Sequence, residues 1–443
     1  MSKKDVPRTL KPPSKGRAGN LISRDSALMA RSYWRPYPLA VKRVEGAVVE
    51  DLDSNLYIDF TAGHGLLPLG GNPPKVLEAV RRQVSQLLSY PLKAAYSEQA
   101  LDLVEQLSKI APIRGSSRAI LLTSGSEAVE AALRALRLHT LKPLVLGFLG
   151  GFHGTTQGAL PVSSDSAGRR RGLSAVNTVH APYPYCYRCP LGLDPSRCGL
   201  RCVNYLEGHL LEHVASPEEL ALALFESIEV ESGVVTPPQG YYERLLPTLR
   251  RRGVHVVADE TSIPLGAAGR WLAIKHWDAE VDGLCLGSSL ASGLPLGVFL
   301  AREELLDLEP GQWESGSEGL QISIAAALAT LETIREEGLI ERAERLGRRL
   351  VRRLGDLADE LETVGEVRGK GLLLGIELVE DEESKRPAPK LAQTVVEECF
   401  RVGLITRRSR QTIILTPPLN IEEELLEKGL EILEAKLREI STG

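Results

Sequence analysis

Long apolar runs are missing from this 443-residue sequence: no stretch of about 18 residues is apolar throughout, as a membrane-spanning helix requires. The first 20 residues are basic and lack the apolar core of a signal peptide. An excess of one charge is also missing, because 53 Lys and Arg face 58 Asp and Glu, for a net charge of -5. That balance does not favour nucleic acid or an anionic membrane as a partner. We therefore expect a cytoplasmic globular protein.

Cysteine is scarce, with six residues in the whole chain. Two of them, Cys285 and Cys399, stand alone in apolar surroundings and are predicted to be core residues. The other four lie within 17 residues as C-x2-C followed by C-x3-C: Cys186, Cys189, Cys198 and Cys202. Four thiolates at this spacing can bind zinc tetrahedrally, and we predict a structural zinc here. One or two disulfides, or unlinked thiols, are the alternatives.

The order of the predicted elements indicates an α/β fold. Residues 38–60 alternate apolar and polar side chains, as a β meander does, and a helix follows from Pro73 with Val76, Val84 and Leu87 on its apolar face. Between residues 100 and 300, helical stretches alternate with short apolar strands, which is typical of a mostly parallel sheet covered by helices. A long helix over 322–358, broken near Gly338, then leads into a second, smaller α+β unit.

We divide the chain into four parts on these grounds. A basic N-terminal arm, expected to be mobile, precedes a segment that packs with the small domain, and a large cofactor-type domain precedes the C-terminal small domain. The predicted ranges are 1–37, 38–80, 81–330 and 331–443.

Several polar motifs follow predicted strands, at the edge where parallel sheets bind ligands. Ser124, Gly125 and Ser126 begin a helix, where free amides can bind a phosphate, although Ser and Gly also cap ordinary helices. Asp259 ends the buried strand "VHVVADE" and could hold a metal, a sugar hydroxyl or a protonated ring nitrogen, or form a structural salt bridge. The motif "GGFHG" offers Phe152 as a stacking surface beside the polar His153, whose alternative is a structural role.

A serine hydrolase is excluded. The motif around Ser288 and Ser289, "GSSLA", lacks the second glycine of a nucleophile elbow. In that class of enzyme the histidine follows the serine along the chain, whereas all eight histidines here lie at or before His276.

Taken together, the motifs resemble the class III aminotransferases, which include the ornithine, acetylornithine and 4-aminobutyrate aminotransferases. The blocks that carry the resemblance occur in the family's order: "NLYIDFTAG", "TSGSEAVEAALR", "GGFHG", "HVVADE", "ASGLPLGV", "VGEVRGKGLLLGIEL" and "PPLNI". The cysteine loop looks like that of archaeal members. The resemblance implies the fold-type I PLP-transferase architecture, a large domain with a mostly parallel central sheet plus a smaller α+β domain, and usually a dimer.

The resemblance also implies a cofactor, pyridoxal phosphate (PLP). Gly125 and Ser126 would bind its phosphate, Phe152 would stack on its ring with His153 alongside, and Asp259 would pair with its ring nitrogen. That pairing makes the ring an electron sink.

The site departs from the family where the chemistry occurs. Ser288 stands at the position of the Schiff-base lysine, and serine has no amine to form an imine and is a poor base. Ser262 replaces a glutamine near the ring hydroxyl, and Gly316 replaces the phosphate-binding threonine of the partner subunit. Thr155 and Ile414 stand where two arginines usually hold substrate carboxylates.

Three hypotheses follow. The first is a catalytically inactive homologue, a pseudoenzyme that serves as a structural or regulatory subunit, as a homodimer or together with an active relative. In that protein PLP would bind non-covalently and more weakly, or another small molecule would occupy the remodelled cleft. The second is an active PLP-dependent aminotransferase or amino-acid racemase with an unusual base. The third is a non-enzymatic small-molecule binder.

Overall fold

The computed structural model describes residues 6–10, 16–169, 177–314 and 320–441. Within these ranges the strands, numbered β1 to β15 in chain order, are Val41–Glu45, Val48–Asp51, Leu56–Asp59, Ser117–Leu122, Leu144–Phe148, Thr178–Ala181, Leu220–Glu226, His255–Asp259, Gly283–Leu286, Gly297–Arg302, Val364–Lys370, Leu373–Leu378, Leu404–Ile405, Arg407–Ser409 and Thr412–Leu415.

The helices of the same ranges, numbered α1 to α13, are Gly16–Leu28, Ala62–Gly65, Pro74–Gln86, Glu98–Ile110, Gly125–Thr140, Ala159–Val162, Arg201–Tyr205, Leu211–His213, Tyr241–Arg251, Gln321–Glu336, Leu339–Glu360, Pro389–Arg401 and Glu423–Ser441. Among the helices that the structure describes, none is long and apolar enough to span a membrane.

A seven-stranded sheet forms the centre of the molecule, in the order β4-β10-β9-β8-β7-β5-β6. All of its strands run parallel except β10, which is antiparallel to both of its neighbours. Every residue of β7 is buried, as expected for a strand covered on both faces by helices. The predicted α/β fold with a mostly parallel central sheet is confirmed.

The remaining strands form two smaller sheets. The sheet β11-β12-β15-β14 is antiparallel and belongs to the C-terminal part of the chain. The sheet β1-β2-β3-β13 joins the N-terminal meander to that part, because β13 pairs in parallel with β3. The predicted break in the long helix is present at Gly338, whose φ of 58° ends α10 before α11 begins. The domain boundaries at residues 37, 80 and 330 stay a prediction.

Part of the predicted mobile arm is packed. Val6 is buried, and Arg8 exchanges two backbone hydrogen bonds with Leu56, of 2.9 and 2.8 Å. Helix α1 begins inside the arm, where the Asp53 carboxylate accepts the backbone N–H groups of Arg17 and Ala18, both at 3.1 Å. A carboxylate at a helix N-terminus satisfies amides that have no intrahelical acceptor, so Asp53 stabilises the start of α1.

The four-cysteine loop differs from the prediction. All six cysteines are free thiols, and no group of three or more His, Cys, Asp or Glu in the described ranges could hold a metal ion. The zinc predicted at Cys186, Cys189, Cys198 and Cys202 therefore has no support, and the unlinked-thiol alternative describes the loop. Burial, and then the neighbouring thiols, raise the pKa of Cys186 to about 11. Cys285 and Cys399 are core residues, as predicted.

Candidate cofactor site

The site lies where the central parallel strands end. Glu226, Asp259 and Cys285 are register partners across β7, β8 and β9, so the loops that follow these three strands emerge side by side. The residues predicted from the sequence lie on the loops and helix start at this edge: Gly125, Ser126, Phe152, His153, Asp259 and Ser288.

Asp259 forms a buried pair with His153. His153 Nδ1 lies 2.7 Å from Asp259 Oδ2, and both side chains are fully buried. The other carboxylate oxygen, Oδ1, accepts the Thr261 N–H at 2.8 Å. The imidazole thus fixes the orientation of the Asp259 carboxylate. Within the described residues, His153 Nε2 has no hydrogen-bond partner.

The N-terminus of α5 lies against the loop after Asp259. Ser124 caps this helix by accepting the Glu127 N–H, so the first two helical amides, of Gly125 and Ser126, have no intrahelical acceptor. A Cβ at Gly125 would lie 2.7 Å from the Thr261 Cβ, and therefore only glycine allows the helix to approach this loop so closely. The arrangement leaves amides and a helix dipole available for an anion.

Phe152 is held by its backbone and covered by a cation. Its N–H donates to Glu226 Oε2 at 2.8 Å, and the guanidinium carbon of Arg169 lies 4.8 Å from the centre of its ring. Asp165 forms an ion pair with Arg169, with 3.3 Å between Asp165 Oδ2 and Arg169 Nη1. Burial, and then the neighbouring Asp259, raise the pKa of Glu226 well above its ordinary value.

Ser288 begins a short 3-10 turn directly after β9. Its hydroxyl donates to the Leu296 carbonyl oxygen at 3.2 Å, across the loop that joins β9 to β10. A Cβ at Gly287 would lie 2.8 Å from the Thr261 carbonyl oxygen, so this turn packs tightly against the loop after Asp259.

No lysine in the part of the chain that the structure describes makes a hydrogen bond or ion pair with Ser288, Asp259, His153 or Phe152. Lys275, which follows the Asp259 loop in sequence, donates its amine to the Ile110 carbonyl oxygen at 3.2 Å instead.

The structure describes three of the other positions at which the resemblance predicts a substitution. Thr155 is exposed, and its N–H donates to Ser126 Oγ at 3.3 Å. Ser262 is half-buried beside Thr261, and Ile414 is fully buried in β15. Gly316 lies outside the described residues.

One charged group next to the site, Arg407, was not singled out from the sequence. Arg407 donates from Nη1 to Glu231 Oε1 at 2.9 Å, and it lies close enough to His64 that burial and its positive charge together lower the pKa of that imidazole. Although burial opposes it, the Arg407 guanidinium holds the pKa of Glu231 below its usual range. No motif in "LITRRSRQTI" distinguishes Arg407 from its neighbours; its position depends on strand pairing.

Comparison with known proteins gives the family. The model for class III aminotransferases matches residues 29–437. The chain belongs to the class III aminotransferase family. It is 33% identical to an alanine/serine racemase of Pyrococcus horikoshii over 99% of this chain and 94% of the relative. It is 32% identical to a leucine/methionine racemase of Thermococcus litoralis, over 96% and 97%, and to a 4-aminobutyrate aminotransferase of Mycobacterium leprae, over 93% and 94%.

Solved structures agree with this assignment. The omega-transaminase of Pseudomonas jessenii in complex with PMP superposes with a TM-score of 0.86 at 26% identity, covering 100% of this chain and 98% of that one. An aminotransferase of Bacillus anthracis gives a TM-score of 0.86 at 25% identity, over 96% and 99%. The predicted fold-type I architecture of the class III family is confirmed.

The donor set fits two parts of PLP, the cofactor expected for class III aminotransferases. Asp259 offers a buried, oriented carboxylate for a protonated ring nitrogen, and the first amides of α5 suit a phosphate. Ser288, which the sequence resemblance predicts at the position of the family's lysine, donates its hydroxyl to the Leu296 carbonyl oxygen. Asp259 and the first amides of α5 therefore suit the ring and the phosphate of PLP.

Proposed function

We propose that this chain is a class III homologue that has kept the scaffold and lost Schiff-base catalysis. The proposal depends on Ser288. The resemblance predicts this residue at the position of the family's lysine, and its hydroxyl donates a hydrogen bond to the Leu296 carbonyl oxygen. A serine in that place can neither form an imine nor readily take a proton from a bound amine. The protein would act as a structural or regulatory subunit, paired with itself or with an active relative.

The remaining site residues support binding without covalent attachment. Asp259 would hold a ring nitrogen, Gly125 and Ser126 would hold a phosphate, and Phe152 would contact the ring face, while His153 keeps the carboxylate oriented. PLP itself would supply an electron-accepting ring when bound. Without the covalent bond, its affinity would be weaker than in an active member of the family.

An active racemase or aminotransferase with an unusual base is the second candidate. Two racemases are among the relatives that match almost the whole chain. In such an enzyme Asp259, oriented by His153, would still hold the ring nitrogen of PLP. A non-enzymatic binder of a small molecule is the third candidate.

The test is to mix the purified protein with PLP, record the visible spectrum, reduce with borohydride and locate any adduct by mass spectrometry. The proposal expects PLP to bind, as measured by dialysis, with no adduct on any single lysine. Asp259→Ala should abolish that binding, and Lys275→Arg, matched in charge, should leave it unchanged. An adduct on one defined lysine of the wild-type protein would overturn the proposal and identify the unusual base.

A further inference from the structure

The four-cysteine loop surrounds a cavity of about 300 Å³. Its walls are mostly apolar and include Leu191 and Pro238. All four cysteines of the loop also line it: Cys186, Cys189, Cys198 and Cys202. Each of them is a half-buried free thiol. The cavity leaves these side chains room to change rotamer, which close packing would not allow. The thiols can therefore approach one another without unfolding of the loop.

Two of the thiols lie on one helical turn. Residues Cys186–Arg188 form a 3-10 helix, and Cys189 caps its end with a helical φ of -52°. A 3-10 helix has three residues per turn and rises about 2 Å per residue, so Cα atoms three positions apart lie about 6 Å apart and their side chains eclipse. A disulfide needs Cα atoms about 4.4–6.8 Å apart. Cys186 and Cys189 therefore meet this requirement without a change in the backbone.

The second pair of thiols, Cys198 and Cys202, lacks such a turn. Leu200 lies between them with a left-handed φ of 57°, which interrupts the helical path. The Cys198 thiol also has an acceptor already, the Pro195 carbonyl oxygen at 3.7 Å. This pair is therefore less suited to a disulfide than Cys186 and Cys189.

The turn that carries Cys186 contacts the C-terminal sheet. Tyr185 and Arg188 both donate to the carboxylate of Glu377, which is fully buried in β12. Tyr187 packs on the neighbouring strand β11, because a Cβ at Gly365 would collide with the Tyr187 hydroxyl group. This turn therefore attaches the four-cysteine loop to the sheet.

Glu377 couples the position of the turn to that of β12. Besides the donors from Tyr185 and Arg188, its carboxylate accepts Arg368 Nη1 at 2.5 Å and Gln411 Nε2 at 3.1 Å. A buried charge that loses a partner is strongly destabilising, so a turn that moves away from β12 would leave part of this carboxylate unsatisfied. A turn that is held rigid should therefore hold β12 as well.

We propose that Cys186 and Cys189 form a reversible disulfide that locks this turn against the C-terminal sheet. The oxidant is a small-molecule disulfide. The thiolate of one cysteine attacks a sulfur of the oxidant and expels one thiol, and the other cysteine then attacks the mixed disulfide and expels the second thiol. Two protein thiols become one disulfide, and the oxidant receives the two electrons and the two thiol protons. This switch does not require the cofactor cleft, so its test is independent of the proposed function.

The first experiment measures whether the bond forms, with glutathione disulfide as the oxidant. After incubation the remaining thiols are alkylated and the protein is digested with trypsin, which cleaves after Arg188, between the two cysteines. Mass spectrometry should show a cross-link between the peptides of Cys186 and Cys189 that dithiothreitol reverses. The double variant Cys198→Ser with Cys202→Ser, the matched control, should form the same cross-link. No cross-link in the wild-type protein, or one to Cys198 or Cys202, would overturn the inference.

The second experiment measures whether the bond holds β12. Hydrogen exchange of the backbone amides of Leu373–Leu378 is followed before and after oxidation. Exchange should slow by at least about threefold in the wild-type protein, because the disulfide removes open conformations of the turn. The double variant Cys186→Ser with Cys189→Ser should show no change on oxidation. Equal exchange rates in reduced and cross-linked wild-type protein, a result that needs no variant to fold, would overturn the inference.

Discussion

Replacing His153 with alanine should destabilise the protein by about 3 kcal/mol. The imidazole lies 2.7 Å from Asp259 Oδ2 and both side chains are fully buried, so the substitution leaves a carboxylate oxygen in the core without its partner. Removing one member of a buried pair costs about 3–5 kcal/mol. We expect the lower end of that range, because Asp259 Oδ1 keeps the Thr261 N–H at 2.8 Å.

The assay is urea unfolding, followed by the fluorescence of tryptophans that include the buried Trp277. His139→Ala, at an exposed position on α5, is the control and should change the free energy of unfolding by less than about 0.5 kcal/mol. The double variant His153→Ala with Asp259→Ala should cost at least about 1 kcal/mol less than the sum of the single variants, since no orphaned carboxylate remains. Additive losses, or a loss below about 1 kcal/mol for His153→Ala, would refute the account of this pair.

Two further substitutions test the site from other directions. Ser288→Lys should form a PLP adduct at position 288 that borohydride reduction makes stable. The variant should also lose about 1 kcal/mol of stability, because the hydrogen bond to Leu296 is removed. A folded variant without the adduct would show that 288 is not the attachment position. Burial and Asp259 raise the pKa of Glu226. The folded state therefore binds a proton that the unfolded state releases above the ordinary glutamate pKa of 4.5. Because of this difference, the stability of the wild-type protein should fall as the pH rises from 4.5. Glu226→Gln can still accept the Phe152 N–H, and it should make the decline above pH 4.5 less steep. Equal slopes for both proteins would contradict the assignment.

The central part of the fold could be predicted from sequence because its signals are local. The strand β7 is a continuous apolar run, and the break at Gly338 needs only a residue that tolerates a positive φ. The edge of the sheet that gathers Asp259 and Ser288 follows from parallel strand direction alone. These features depend on neighbours in sequence or on a general property of parallel sheets.

Features that depend on distant partners could not be predicted. The predicted apolar face of α3 includes Val84 and Leu87, yet these are 48% and 42% exposed, and Leu87 follows the last helical residue, Gln86. Helical periodicity does not say where the helix or its packing partner ends. The pairing of Arg407 with Ile414 requires the register of two short strands, which no motif reveals. Cysteine spacing alone predicted zinc, whereas metal binding also requires the four sulfurs to converge on one point.

The most direct test of the central claim is proton exchange at the α-carbon of amino acids. The protein is incubated with PLP in deuterium oxide with L-alanine, L-serine, L-leucine or L-methionine, with a 2-oxo acid present in a parallel sample, and the α-proton signal is followed by NMR. Because Ser288 offers no amine base, the account predicts exchange, racemisation and transamination no faster than with PLP alone. Protein-dependent loss of the α-proton signal, or transfer of the amino group, would contradict it.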